Sequence, residues 1–251
     1  MLDMCVNQGA GLQSIALQAA PRVIAMASHG DQRGELPLLW NLCSTLVGFG
    51  YPVAVLDATT VESSDNPGLM QLLDDACWQS DESNGPLPWS VIPAALGLQR
   101  LGTQTSGHGL PMDPLGGLFQ NFGVVVIYAH AEVLTLLLPG SGIEPLLTVS
   151  PVKMSSVTAY QALKKMLLNA RLRPTVATIT IGGSSKTLMA GHSPIKKLQE
   201  CAMTFLDYRL DALAVRAMPS QEFPSEDMNR LALRLLENAM PLHRNHFVGS
   251  H

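Results

Sequence analysis

Short apolar runs recur along the chain, and within each run consecutive residues are apolar. A strand with one wet face would alternate apolar and polar residues, whereas unbroken runs rich in Val and Ile are typical of strands covered on both faces. The pattern predicts about seven such strands, over residues 22–27, 51–58, 89–94, 122–129, 144–150, 174–181 and 211–218.

Helical spacing of apolar residues appears between the later runs. Residues 155–172 predict one helix, which ends in basic residues as a helix C-terminus favours. Ser193 and Pro194 are typical of a helix start, and the apolar stripe that follows is Ile195, Leu198, Ala202 and Phe205. Ser225 and two acids predict a third start, with a stripe of Met228, Leu231, Ala232, Leu235 and Ala239.

Strands that alternate with helices over most of the length predict a doubly wound α/β fold. We expect a mostly parallel sheet of about seven strands with helices on both faces. Segments 59–88 and 102–117 are polar and rich in Gly, Pro and Ser, which predicts surface loops at the ligand edge of the sheet. The predicted organisation is an arm over 1–20, a single domain over 21–240 and a short mobile tail over 241–251.

Composition indicates a globular protein and argues against direct nucleic-acid binding. Of 251 residues, 47% are hydrophobic and only 14% are charged, which indicates a globular chain with a low-charge surface that a partner would cover. The formal net charge of −4 argues against direct nucleic-acid binding, since neutralising phosphates requires a basic face.

The cysteines and the length of the apolar stretches predict the cellular compartment of the protein. The four cysteines have no short pairing, which favours free thiols in a reducing cytoplasm. No basic and apolar leader precedes the first strand, and no window reaches eighteen uninterrupted apolar residues, so we expect neither export nor a membrane span.

His243 and His246 have ligand-like spacing but no third ligand nearby, so no metal site is expected.

One turn between strand and helix carries the most specific resemblance. The stretch SHGDQRGELPLLW (28–40) resembles the loop Ser-Gly-Lys-Gly-Gly-Val-Gly-Lys-Thr-Thr of the MinD/ParA class of deviant P-loop ATPases, in which a later strand ends in Asp. Aligned without a gap, Ser28 and Asp57 match both ends and Gly34 matches the last loop glycine. Three further stretches are similar to that class, at 90–98, 149–166 and 192–219, so the resemblance covers about 22–240.

Within the class, the N-terminus resembles the flagellar number regulators of the FlhG/FleN type. Those proteins begin with an Asp-Gln-Ala-x-x-Leu-Arg element that engages the GTPase FlhF. Here NQGAGLQ (7–13) has the same spacing, and Gln8 and Leu12 match while Asn7 and Gln13 do not. The resemblance implies that this arm, including these four residues, binds a partner.

The resemblance also implies a nucleotide site whose side-chain chemistry has been replaced. A P-loop holds phosphate with backbone N–H groups and a Lys, and holds Mg²⁺ with a hydroxyl. Glu35 stands at the loop Lys, Leu36 at the metal-binding Thr, Gly30 at the dimer-crossing signature Lys and Tyr128 at the Walker B Asp. The degenerate loop therefore comprises Ser28, His29, Gly30, Asp31, Gly34, Glu35 and Leu36.

Two of these positions leave alternatives open. Asp57 is placed as a switch carboxylate, but Thr59 replaces the second Asp of the class, so Asp57 also suits a simple loop cap. Glu35 followed by Pro37 makes a favourable helix start whether or not phosphate is near.

Together these features predict a pseudo-ATPase that acts by binding proteins. The class implies ATP and Mg²⁺, and the replaced side chains predict that neither binds and that no residue is catalytic. By resemblance the partners are an FlhF-like GTPase, a flagellar switch or C-ring protein, or a flagellar transcriptional activator, in the cytoplasm or recruited to the cell pole. A homodimer is left open, and the tail has too few large apolar residues for stable membrane binding. The alternatives are an active ATPase with an altered loop, or the same fold serving cellulose synthesis or pilus placement.

Overall fold

Strands and helices alternate along the computed structural model, which describes residues 20–74, 89–103, 111–152, 154–180, 193–216 and 225–242. The strands are β1 (Arg22–Ser28), β2 (Val53–Asp57), β3 (Trp89–Pro93), β4 (Val124–His130), β5 (Leu146–Val149), β6 (Thr175–Thr180), β7 (Ala212–Arg216) and β8 (Met240–Pro241). The helices are α1 (Gln32–Gly48), α2 (Leu69–Asp74), α3 (Ala95–Thr103), α4 (Leu115–Leu118), α5 (Ala131–Leu137), α6 (Ser155–Ala170), α7 (Pro194–Leu206) and α8 (Glu226–Glu237).

The strands form one sheet in the order β3-β2-β4-β1-β5-β6-β7, and every neighbouring pair in that order is parallel. The short β8 adds an antiparallel pairing to β1, with Val23 opposite Met240. The predicted doubly wound, mostly parallel sheet is therefore confirmed, and each of the seven predicted runs forms a strand.

Helices bury both faces of the sheet, which explains why the strands are apolar at consecutive positions. Along β1, Val23 and Ala25 face one core, and Ile24 and Met26 face the other. The first core lies under α3, α5, α6 and α7, and the second lies under α1 and α8. Within the described ranges, no helix is long and apolar enough to cross a membrane.

The predicted helix starts are correct, and two predicted stripes are wrong in their last member. α8 ends at Glu237, so Ala239 lies after the helix, although it packs against the same core. α8 begins after Ser225, whose hydroxyl accepts the N–H of Met228. α7 begins at Pro194 and buries Leu198 and Ala202, but the side chain of Phe205 is 71% exposed. The buried line of α7 continues in steps of four to Leu206, and this line leaves Phe205 in solvent.

Two predicted boundaries also need correction. Segments 59–88 and 102–117 are not only surface loops, because they contribute α2 and α4 and buried side chains at Leu69 and Leu115. The tail does not begin at residue 241: Pro241 belongs to β8, and Leu242 is buried and donates its N–H to the carbonyl of Pro21 at 2.8 Å. The predicted arm, with Asn7, Gln8, Leu12 and Gln13, lies outside the described residues, as do His243 and His246.

A buried thiol supports the interpretation of the cysteines as small apolar side chains. Cys43 lies on the buried face of α1, and burial raises the pKa of its thiol to about 12. A thiol with this pKa stays protonated near neutral pH and is inert as a nucleophile.

Candidate functional site

The loop with the P-loop resemblance lies at the carboxyl end of the central strand β1. It runs from Ser28 to the start of α1, between the ends of β4 and β5, and in a doubly wound sheet such an edge is where ligands bind. Gly30 has φ +89°, which only glycine adopts without strain. A Cβ on Gly34 would lie 2.8 Å from the Cβ of Ser150, so the close packing of α1 against the end of β5 needs a glycine.

The carboxylate of Glu35 fills the loop from inside. Its side chain is fully buried, and Oε1 accepts the backbone N–H groups of His29 and Asp31, each at 3.0 Å. Oε2 accepts the hydroxyl of Tyr128 at 2.5 Å. An anion therefore does sit in this loop, held by backbone N–H groups as a phosphate would be, but it belongs to the protein itself.

Local physics favours this arrangement. Glu35 lies in the first turn of α1, where the positive end of the helix dipole stabilises a negative charge. A buried carboxylate is costly unless its oxygens are hydrogen-bonded, and three donors satisfy them here. Because a backbone N–H carries one hydrogen, the N–H groups of His29 and Asp31 are not free for a phosphate oxygen while Glu35 holds them.

Tyr128 completes the enclosure from the end of β4, where the class has its Walker B Asp. Burial, as the largest cause, and the hydrogen bond to Glu35 raise the pKa of the Tyr128 hydroxyl well above its usual range. The hydroxyl therefore stays protonated and donates to Glu35, instead of offering a charged oxygen to a metal ion.

His29 fastens the loop to its neighbours. Its Nε2 lies 2.9 Å from the carbonyl oxygen of Thr148, and its Nδ1 lies 2.8 Å from the hydroxyl of Thr158. Since a carbonyl only accepts, Nε2 carries a hydrogen, and this Nε2 also lies 3.4 Å from Oε1 of Glu35. The loop is thus tied to β5 and α6 as well as to its own carboxylate.

Asp57 makes the contacts of a loop cap, and its role as a switch carboxylate stays a prediction. Its Oδ1 accepts the N–H and the hydroxyl of Thr59, at 2.8 and 2.6 Å, and its Oδ2 accepts the hydroxyl of Thr60 at 2.7 Å. Both oxygens accept hydrogen bonds from the residues two and three positions later, as in an Asx turn.

Glu62 is a site residue that the sequence did not reveal. It is 5% exposed, and its two oxygens accept the N–H groups of Leu96 and Gly97 at 2.7 and 2.8 Å. These groups open α3, so a second helix N-terminus at this edge also holds an internal carboxylate. Since its partners lie more than thirty residues away in sequence, no local pattern could have indicated the contact.

Leu36 and Asp31 are the remaining loop positions at which a metal ligand would be sought. Leu36, at the position of the metal-binding hydroxyl, is an apolar side chain 47% exposed. Oδ2 of Asp31 is buried and has no hydrogen-bond partner among the described residues. In the same parts of the chain, no group of three or more His, Cys, Asp or Glu side chains is placed to hold a metal.

A narrow cleft runs beside the loop toward α6. Its volume is about 210 Å³, below the roughly 300–1,000 Å³ of typical ligand pockets. His130 and Gln161 line it, and an ion pair between Glu132 and Lys165 lies along it. The hydrogen bond from Lys165 is the main cause that lowers the pKa of Glu132, so the acid stays charged and paired.

Solved structures identify the fold. No protein-family model and no curated protein matches the sequence. A chain of the MinC:MinD cell division protein complex of Aquifex aeolicus is 13% identical, with TM-score 0.58 over 88% of this chain and 98% of that chain. The ParA family ATPase of Chlorobium tepidum TLS is 13% identical, with TM-score 0.53 over 85% and 98%. The cell division ATPase MinD of Pyrococcus furiosus is 14% identical, with TM-score 0.52 over 86% and 97%. The chain therefore has the MinD/ParA P-loop ATPase fold.

Proposed function

We propose that this protein is a non-catalytic member of the MinD/ParA fold class, closed to ATP by its own carboxylate, which acts by binding other proteins. The observation that carries the proposal is Glu35, fully buried inside the loop and bonded to two loop N–H groups and to Tyr128. The alternative of an active ATPase with an altered loop would require Glu35 to leave this site.

Charge makes the binding of a nucleotide unfavourable while Glu35 occupies the loop. Exchanging Lys for Glu removes one attraction to phosphate and adds one repulsion, each about 4 kcal/mol for unit charges at 4 Å and an effective dielectric of about 20. Even after a large discount for water and salt, a few kcal/mol remain. Since about 1.4 kcal/mol is tenfold in affinity, a micromolar site would weaken by two or more decades.

We predict that the purified protein gives no saturable heat when titrated calorimetrically with millimolar ATP and Mg²⁺. The double variant Glu35→Lys, Leu36→Thr restores the two missing loop side chains, and it should regain little binding because Tyr128 still occupies the Walker B position. A wild-type dissociation constant in the micromolar range would contradict the proposal and favour the altered-loop ATPase.

The biological role that we propose is control of the number or placement of a polar machine, above all the flagellum. The support is the resemblance of residues 7–13 to the FlhF-binding element of FlhG/FleN-type regulators. The proposed partners are an FlhF-like GTPase, a flagellar switch or C-ring protein, or a flagellar transcriptional activator, and such a partner would recruit the protein to the pole. Cellulose synthesis and pilus placement remain the competing roles.

The arm provides the second test. We expect the variant Gln8→Ala, Leu12→Ala to lose co-purification with the FlhF-like GTPase of the same genome, because these side chains match the anchors of the element. The control Leu17→Ala, Gln18→Ala removes the same residue types and should bind as the wild type does. Recovery of the GTPase at the wild-type level by both variants would exclude Gln8 and Leu12 as the anchors of its binding, and unchanged flagellar number in a deletion strain would exclude the flagellar role.

A further inference from the structure

A second and larger cleft opens at the amino edge of the sheet, opposite Glu35. Its volume is about 410 Å³, within the usual range of small-ligand pockets. One wall is the loop over 140–144 that leads to β5, and the other is the turn over 170–173 that joins α6 to β6.

Two arginines give this cleft an uncompensated positive charge. Arg171 and Arg173 line it and are exposed, and within the described chain neither side chain forms a hydrogen bond or an ion pair. The acid of the cleft is already engaged: Oε2 of Glu144 accepts the hydroxyl of Thr175 at 2.9 Å and the amide of Asn238 at 3.1 Å. Oε2 also lies 3.7 Å from a guanidinium nitrogen of Arg234, and among the described residues no ion pair joins Glu144 to Arg171 or Arg173.

The backbone of the cleft is also unusual. Arg171 has φ +54° at the end of α6, a position that glycine normally takes, and a left-handed arginine costs roughly 1 kcal/mol. Gly140 and Gly142 have φ +75° and +73°. Among the described residues, the N–H groups of Gly140, Gly142 and Arg173 have no acceptor. Free N–H groups and one strained residue, Arg171, around a single concavity are typical of an anion site.

We propose that this amino-edge cleft binds a small organic phosphate, with the phosphate held by Arg171 and Arg173. The planar guanidinium group pairs with two phosphate oxygens at once, which favours phosphate over a monovalent ion such as chloride. Ile143 and Leu172, both almost fully buried, form an apolar floor for a short carbon skeleton. The site is separate from the degenerate loop, so it does not depend on whether that loop binds ATP.

The test is a titration of ¹⁵N-labelled protein with inorganic phosphate and with glycerol 3-phosphate, at ionic strength held constant with sodium chloride. We expect saturable shifts of the Gly140, Gly142 and Arg173 amide signals, with tighter binding of glycerol 3-phosphate because of the apolar floor. The variant Arg171→Gln, Arg173→Gln should weaken binding by about tenfold or more, the usual result of losing a charge-assisted pair.

The matched control removes the same charge elsewhere. Lys196 and Lys197 are exposed in the first turn of α7, and the variant Lys196→Gln, Lys197→Gln should leave both affinities unchanged. Equal weakening in the control, or shifts that never saturate, would reduce the effect to general surface charge and overturn the proposal. If the double arginine variant does not fold, Arg173→Gln alone provides the same comparison. Shifts confined to Gly30 and Gly34 would place phosphate in the loop after β1. That result would contradict this proposal and also the proposal that Glu35 closes the loop to phosphate.

Discussion

Replacing Glu35 with alanine is expected to destabilise the protein strongly. The substitution removes the carboxylate and leaves two loop N–H groups and the Tyr128 hydroxyl buried without their acceptor. At about 1 kcal/mol or more for each unsatisfied donor, the free energy of unfolding should fall by about 3 kcal/mol. For a chain of this size that corresponds to a melting temperature lower by roughly 6–12 °C, measurable by calorimetry.

The same variant should gain a site for an external anion. Inorganic phosphate or sulfate fits where the carboxylate was, so millimolar phosphate should restore part of the lost melting temperature while it changes the wild type much less. An anion at about one hundred times its dissociation constant restores about 2.7 kcal/mol.

Glu237→Ala is the control for loss of charge, because Glu237 is exposed at the end of α8 and should tolerate the change. If Glu35→Ala melted with the wild type, the carboxylate would not hold the loop. If phosphate stabilised the wild type equally, the loop would be open.

Replacing Gly68 with alanine is expected to be the most damaging single-methyl change at this edge. Gly68 is buried, and a Cβ there would lie 2.1 Å from the carbonyl oxygen of Pro93 and 2.7 Å from Cγ of Glu62. The end of β3 would have to move, and with it the carboxylate that holds the first turn of α3. We expect a loss of about 3 kcal/mol or more in the free energy of unfolding, measured by urea denaturation.

Gly117→Ala is the matched control for this prediction. Gly117 lies exposed in α4, and no atom lies within 4 Å of an added Cβ. Alanine should be neutral there or stabilise the helix by up to about 1 kcal/mol. Equal stability of the two variants would show that the loop before α2 yields without cost and does not hold Glu62 in place.

Three carboxylates at this edge have one feature in common. Glu35, Asp57 and Glu62 each use a carboxylate to accept backbone N–H groups at the carboxyl edge of the sheet. Backbone N–H groups at such an edge can otherwise bind a phosphate. Here internal anions satisfy them, which fits a protein whose loops stay in one arrangement without nucleotide.

The sequence by itself determined the layered architecture and placed an acid, Glu35, in the first turn of the helix that follows β1. Consecutive apolar residues in β1 can be buried on both faces only between two helical layers, so the strand pattern was sufficient to predict a doubly wound sheet. Ser225 predicted the start of α8 because capping is a local interaction. Glu35 was likewise visible in the sequence, and its interpretation as a replaced P-loop Lys rests on the resemblance to the MinD/ParA class.

Only the tertiary structure decided where that glutamate goes. A helix-start Glu usually faces solvent, and its burial here depends on Tyr128, which is distant in sequence and adjacent only because β4 pairs with β1. Strand pairing likewise brings Glu62 next to α3, because β2 pairs with β3, and brings Leu242 next to Pro21, because β8 pairs with β1. The apolar stripe of α7 ends at Leu206 and not at Phe205, because Leu206 is the residue whose side chain packs against the core beneath the helix. Local patterns carry propensity and periodicity, whereas the partners of a buried charge are set by which strands the sheet brings together.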